Sequence, residues 1–100
     1  MDIRIILSEV SDPRRSHLKE HSLECIFGIT IAAVMGGAES WYEVEEFGKS
    51  HEDFFRSHLK TFNGVPSHDT FNRVFSLISP EELERGFRKW VNTIWGKTSG

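Results

Sequence analysis

Apolar residues recur along this 100-residue chain at helical spacing, and no stretch keeps the two-residue alternation of a half-buried strand. Residues 2–10 place Ile3, Ile6, Leu7 and Val10 on one side, which predicts a short helix broken by Ser11-Asp12-Pro13. Ser22 is a good N-cap for a second helix running to about Met35, with Gly36-Gly37 as its stop. That segment is apolar nearly all round, so it belongs in the centre of the fold. Ser40 followed three residues later by Glu43 is the capping-box pattern. It starts a third helix with Trp41, Val44 and Phe47 facing inward. A break near Gly48 to Ser50 leads to a fourth helix carrying Phe54, Phe55 and Leu59.

Asn63-Gly64 is a turn signal, and Pro66 holds the chain extended before Ser67, a second good N-cap. The fifth helix, 68–78, sets Phe71, Val74, Phe75 and Ile78 at i, i+3, i+4 and i+7. Ser79-Pro80-Glu81-Glu82 combines a cap, a proline at the first helical position and acids suited to the positive helix end. The last helix strings Leu83, Phe87, Trp90, Val91 and Ile94 on one stripe. The expected fold is all-α, a compact bundle of five to six short helices. Its fifth and sixth members, joined by the tight Ile78-Ser79-Pro80 corner, suggest a helix-turn-helix-like pair near the C-terminus.

Composition narrows the class. A 38% hydrophobic content with eight Phe, three Trp and one Tyr argues for a folded core over disorder. The one cysteine, Cys25, excludes an internal disulfide framework and fits a reducing compartment. The N-terminus lacks the charge order of a secretory signal, and the low-charge run from Cys25 to Ala38 is too short to cross a bilayer. A cytoplasmic location is expected. The formal charge of −3 carries no whole-surface attraction for nucleic acid, so any phosphate contact needs a local patch. Arg14, Arg15 and Lys19 form one such cluster, and Arg85, Arg88, Lys89 and Lys97 another.

Several groups invite chemistry. Ser67, His68 and Asp69 are residue types of a nucleophile and its base, yet helical neighbours point about 100° apart and a triad must converge. A cap, a local histidine contact and a dipole-complementing acid account for them. His17, His21 and Cys25 fall at intervals of four, but the Ser22 cap separates both histidines from the helix that holds Cys25. Gly96-Lys97-Thr98 resembles the end of a phosphate loop, but that loop needs a glycine where Val91 stands. The acids Glu39, Glu43, Glu45, Glu46, Glu52 and Asp53 read most simply as solvated helix faces. No catalytic residue, metal site or cofactor is expected.

The segment Gly64-Val65-Pro66-Ser67-His68-Asp69-Thr70-Phe71-Asn72-Arg73-Val74-Phe75 resembles a signature of the N-terminal domain of DDE-type insertion-sequence transposases, including the H-repeat-associated proteins of Rhs elements. Four further blocks are similar to that family in order and spacing. They are Asp12-Pro13-Arg14-Arg15, Gly37-Ala38-Glu39-Ser40-Trp41, Val44-Glu45-Glu46-Phe47-Gly48, and Ser79-Pro80-Glu81 with Trp90-Val91. The resemblance implies that the catalytic acids, which hold two metal ions, lie in a ribonuclease-H-like domain following this region. Their first strand, of Ile-Asp-Gly-Lys type, finds no match here, because Trp95 stands before Gly96. The implied division is a helical domain over 1–95 and a tail over 96–100, with no catalytic domain.

The function that follows is a non-catalytic one: binding element-end DNA or supporting transposase assembly. For DNA, helix N-termini and arginine suit phosphate, so the candidates are Ser67, His68, Asn72 and Arg73, with Arg14 and Arg15 as a second patch. The plainer reading is a helical corner that packs the bundle, with Arg73 paired to Asp69 one turn earlier. The alternative function is an interaction or homodimer module without DNA contact, which Trp90 and Trp95 favour. Neither a membrane nor a small-molecule substrate is expected as partner.

Overall fold

The computed structural model describes residues 3–12, 14 and 20–99, and side chains through residue 95. Six helices follow one another: α1 Arg4–Leu7, α2 Leu23–Met35, α3 Trp41–Ser50, α4 Glu52–His58, α5 His68–Leu77 and α6 Pro80–Ser99. No strand occurs among the described residues. Arg15, His17 and Lys19 lie outside them, as does the side chain of Lys97.

The caps explain most helix starts. Ser22 Oγ accepts the Cys25 N–H at 3.1 Å, Ser40 Oγ the Glu43 N–H at 3.2 Å, and Ser67 Oγ the Thr70 N–H at 3.3 Å. Each serine relieves one of the backbone donors that a first helical turn leaves unpaired. The box at Ser40 is shifted by one residue, because the Glu43 carboxylate accepts the Glu39 N–H. At the other end of α2, the Ala38 N–H donates to the Ala33 carbonyl and the Gly37 N–H to the Val34 carbonyl. Those two bonds make a Schellman stop, and Gly37 supplies the positive φ (100°) it requires.

α2 is the axis of the core. Cys25, Ile26, Phe27, Ile29 and Ala33 are fully buried, and the Cys25 Sγ lies 3.5 Å from Thr61 Oγ1. Each large side chain so removed from water contributes about 1.5–3 kcal/mol. Around it sit Ile3 and Ile6 of the α1 region, Val44 of α3, Phe55 of α4, and Phe71 and Val74 of α5. Trp41 stacks on Phe71 and Phe75, and Phe75 stacks on Phe27 at 5.0 Å, so an aromatic column ties α2, α3 and α5. The radius of gyration of 13.6 Å matches the ~13 Å of a compact 100-residue domain.

Four expectations need correction. Of the expected 2–10 helix, residue 2 lies outside the described residues, the helix covers Arg4–Leu7, and the chain goes on to Val10 in three-residue turns. Glu9 is drawn instead to Arg85 (3.6 Å) and Lys89 (3.3 Å) of α6. The break after α3 falls at His51, just past the expected Gly48 to Ser50, because Gly48 serves close packing. A Cβ there would stand 2.7 Å from Val65 Cγ1. Phe54 turns outward and is 54% exposed while Phe55 is buried, since adjacent helical positions cannot share a face. Finally, only Leu83, Phe87 and Trp90 of the α6 stripe pack on the core; Val91 and Ile94 do not. The helix backbone continues past residue 95 to Ser99.

The α5–α6 corner forms at Ile78 and Ser79, but the two helices find different partners. α5 lies on α3, whereas α6 lies on α1. Gly86 permits that last contact, where a Cβ would come within 2.6 Å of the Ile6 carbonyl oxygen. No described helix is long and apolar enough to cross a membrane.

A candidate functional site at the N-terminus of helix α5

The first turn of α5 is held by a residue from α3. Glu45 Oε1 accepts the His68 backbone N–H at 2.7 Å and lies 2.9 Å from His68 Nδ1. Glu45 Oε2 meets Lys49 Nζ at 2.6 Å. Lys49, then the two bonds from His68, hold the Glu45 carboxyl down at about 2, well below its ordinary value. The same contact raises the Lys49 ammonium. A carboxylate ionised at neutral pH can only accept, so the proton of the bonded imidazole sits on Nδ1. His68 Nε2 faces Asp69 Oδ1 at 3.5 Å, and the Tyr42 ring stacks on the imidazole at 3.9 Å.

An anion belongs at a helix N-terminus, where backbone donors and the helix dipole converge. Here the anion is the protein's own carboxylate. Ser67 Oγ is occupied by the Thr70 N–H and lies 3.1 Å from Thr70 Oγ1. Ser67 and His68 are thus each drawn to a different partner.

The remaining candidates separate. Asn72 and Arg73 are exposed on α5. Arg73 makes no ion pair with Asp69, nor with any other described residue. Arg14 is different: only 8% of its side chain is exposed, and it grips Asp12 with Nε and Nη2, each at 2.9 Å. Its Nη1 donates to the His21 carbonyl. Arg15 lies outside the described residues. The second basic cluster is also engaged, Arg85 and Lys89 with Glu9 and Arg88 with Glu84 at 3.0 Å. No group of three or more metal-ligand side chains converges among the described residues.

Beside this network an open cleft of about 640 Å³ lies between the end of α2, the start of α3 and the first turn of α5. Val34, Trp41 and Val44 give it apolar walls, and Glu39, Asp69 and Asn72 give it polar ones. Sequence reasoning missed Lys49 and Tyr42, and it read Glu45 as part of a solvated helix face, whereas only 17% of that side chain is exposed. The Glu45–Lys49 pair was visible as an i, i+4 spacing. The reach from Glu45 to His68, 23 positions away, left no local trace.

The fold is thus a small helical bundle in which Glu45 of α3 closes on the first turn of α5. The chain belongs to the DDE_Tnp_1-associated family, whose model matches residues 5–91. Among its relatives is an uncharacterized protein in the dhlA 3' region of Xanthobacter autotrophicus, 49% identical over 82% of this chain and 28% of that protein. The H repeat-associated YbfD of Escherichia coli K12 is 37% identical over 91% of this chain and 37% of its own length. The inactive transposase YbfQ of the same strain is 38% identical over 76% of this chain and 94% of its own length. The chain thus spans roughly a quarter to just over a third of the first relatives it matches. No solved structure matches it.

Proposed function

We propose that this chain is a non-catalytic helical domain of a DDE-type transposase whose task is assembly, docking one protein surface on another through α6. One observation carries the reading. Val91, Ile94 and Trp95 lie at i, i+3 and i+4 and are 45%, 54% and 67% exposed, while Leu83, Phe87 and Trp90 of the same helix pack on the core. A largely exposed apolar stripe on an otherwise amphipathic helix is the mark of an interface. The longer relatives contain further chain that such a stripe would serve. YbfQ, nearly all of which matches this domain, is named an inactive transposase, in keeping with a non-catalytic role.

DNA binding is the second reading, favoured by Arg73, which is exposed and pairs with no described residue. Against it stands Glu45, which already fills the anion position of α5. Sedimentation of the chain, alone and with the remaining part of YbfD added separately, tests the first reading. Association in either arm, lost on V91A/W95A substitution, supports it; a monomer in both arms overturns it. A salt titration with inverted-repeat duplex and a scrambled control tests the second. Repeat-specific binding weakened by Arg73→Ala is the outcome it requires.

A further inference from the structure

The chain divides its charge sharply. Residues 39–53 hold six acids (Glu39, Glu43, Glu45, Glu46, Glu52, Asp53) against one lysine, Lys49. Residues 85–99 hold Arg85, Arg88, Lys89 and Lys97 and no acid at all. Each region also carries exposed apolar surface. On the acidic side this is the cleft, where Val34 is 57% and Tyr42 66% exposed; of the six acids Glu39 stands at its wall, joined there by Asp69 of α5. On the basic side it is the α6 stripe, where Arg88, Val91 and Trp95 fall at i, i+3 and i+7 on one face.

We propose that the occupant of the acidic cleft is the basic, apolar C-terminal half of α6 from a second copy of this chain. The proposal rests on the assembly reading above and names its counter-surface. The match is twofold. An indole and its neighbours would cover the walls formed by Val34, Trp41 and Tyr42, and a cleft of about 640 Å³ lies within the range that admits such side chains. Arg88 would meet Glu39 or Asp69. Its present bond to Glu84 joins two side chains that are 66% and 71% exposed, and exposed pairs exchange at little cost. Within one chain the two surfaces lie on different elements: α6 rests on α1, and the cleft is built from α2, α3 and α5. The contact joins unlike surfaces, so it either occurs twice in a reciprocal two-fold pair or runs head to tail as a ring or an open series.

A contact between unlike surfaces has a signature that a like-on-like contact lacks: two different disabling variants restore each other. The cleft variant is Glu39→Lys with Asp69→Lys, and the helix variant is Arg88→Ala with Trp95→Ala. All four positions are exposed, and far-UV circular dichroism checks that each variant folds. The milder Glu39→Gln with Asp69→Asn replaces the cleft variant if the charge reversal unfolds the chain. By sedimentation, the wild type is expected to rise with concentration from 11.5 kDa to twice that mass or more, less steeply at high salt. Each variant alone is expected to associate at least roughly tenfold more weakly, and the mixture to give a 1:1 complex that grows no further. A wild type that stays at 11.5 kDa overturns the proposal, whatever the YbfD arm shows. A wild type that associates while the mixture does not recover also overturns it, and leaves α6 assembling by some other contact.

Discussion

Glu45 Oε1 and the backbone nitrogen of His68 lie 2.7 Å apart, although 23 positions separate them along the chain. The contact fixes the first turn of α5 against α3 through a charged acceptor. Hydrogen bonds to charged groups contribute about 1.5–3 kcal/mol. Glu45→Ala should therefore lower stability by roughly 1–2 kcal/mol, allowing for the partial exposure of the site. A shift in the urea midpoint at constant slope measures it, and an unchanged midpoint refutes the anchoring role.

The same carboxylate makes stability depend on acid. Its value falls from 4.5 to about 2 on folding, so the folded state favours the ionised form. Its contribution is complete above the unfolded value of 4.5 and is lost as pH falls from there toward 2. Melting temperature followed between pH 6 and 2, on the order of one step per half unit, should decline less for Glu45→Gln than for wild type across that window. Parallel curves would refute the assignment.

Gly86→Ala pits two effects against each other. Alanine is the better helix former by about 1 kcal/mol. Against that, its methyl would come within 2.6 Å of the Ile6 carbonyl oxygen, a backbone atom that cannot turn aside. Overpacking of this kind costs about 1–3 kcal/mol, so net destabilisation is expected. Hydrogen exchange should quicken in residues 3–10 and in the middle of α6, while α2 stays protected.

Phe71 is fully buried and stacks on Trp41 with ring centroids 6.1 Å apart. Phe71→Ala should cost about 3–5 kcal/mol, a large share of the 5–15 kcal/mol typical of a domain. Loss of the near-ultraviolet aromatic signal with partial retention of helical signal would report the loosened column. A variant as stable as wild type would show that the column is not part of the core.

Where a helix begins is a local matter, and the chain announces it locally. Ser22, Ser40 and Ser67 each stand where the structure puts a cap, because a cap needs only a side-chain oxygen and the next turn. The apolar periodicity of α5 likewise placed Phe71, Val74 and Ile78 in the core. Misreadings arise where distant partners decide. Gly48 has the look of a breaker until Val65 is seen against it, and Glu9 looks like the last turn of a helix until α6 takes it. The candidate site was legible in part. His68, Asn72 and Arg73 share α5 and Ser67 caps it, as expected, but the acid that holds His68 comes from another helix. Arg14 shows the converse. Its charge drew it into a surface patch on paper, whereas its bidentate grip on Asp12 places it among structural groups.

Because Glu45 is covalently part of the molecule that presents the α5 donors, it acts as a tethered competitor for any incoming phosphate. Linked groups of this kind confront their target at effective concentrations on the order of millimolar or above. An anionic guest at this helix end would first have to displace a resident that never diffuses away.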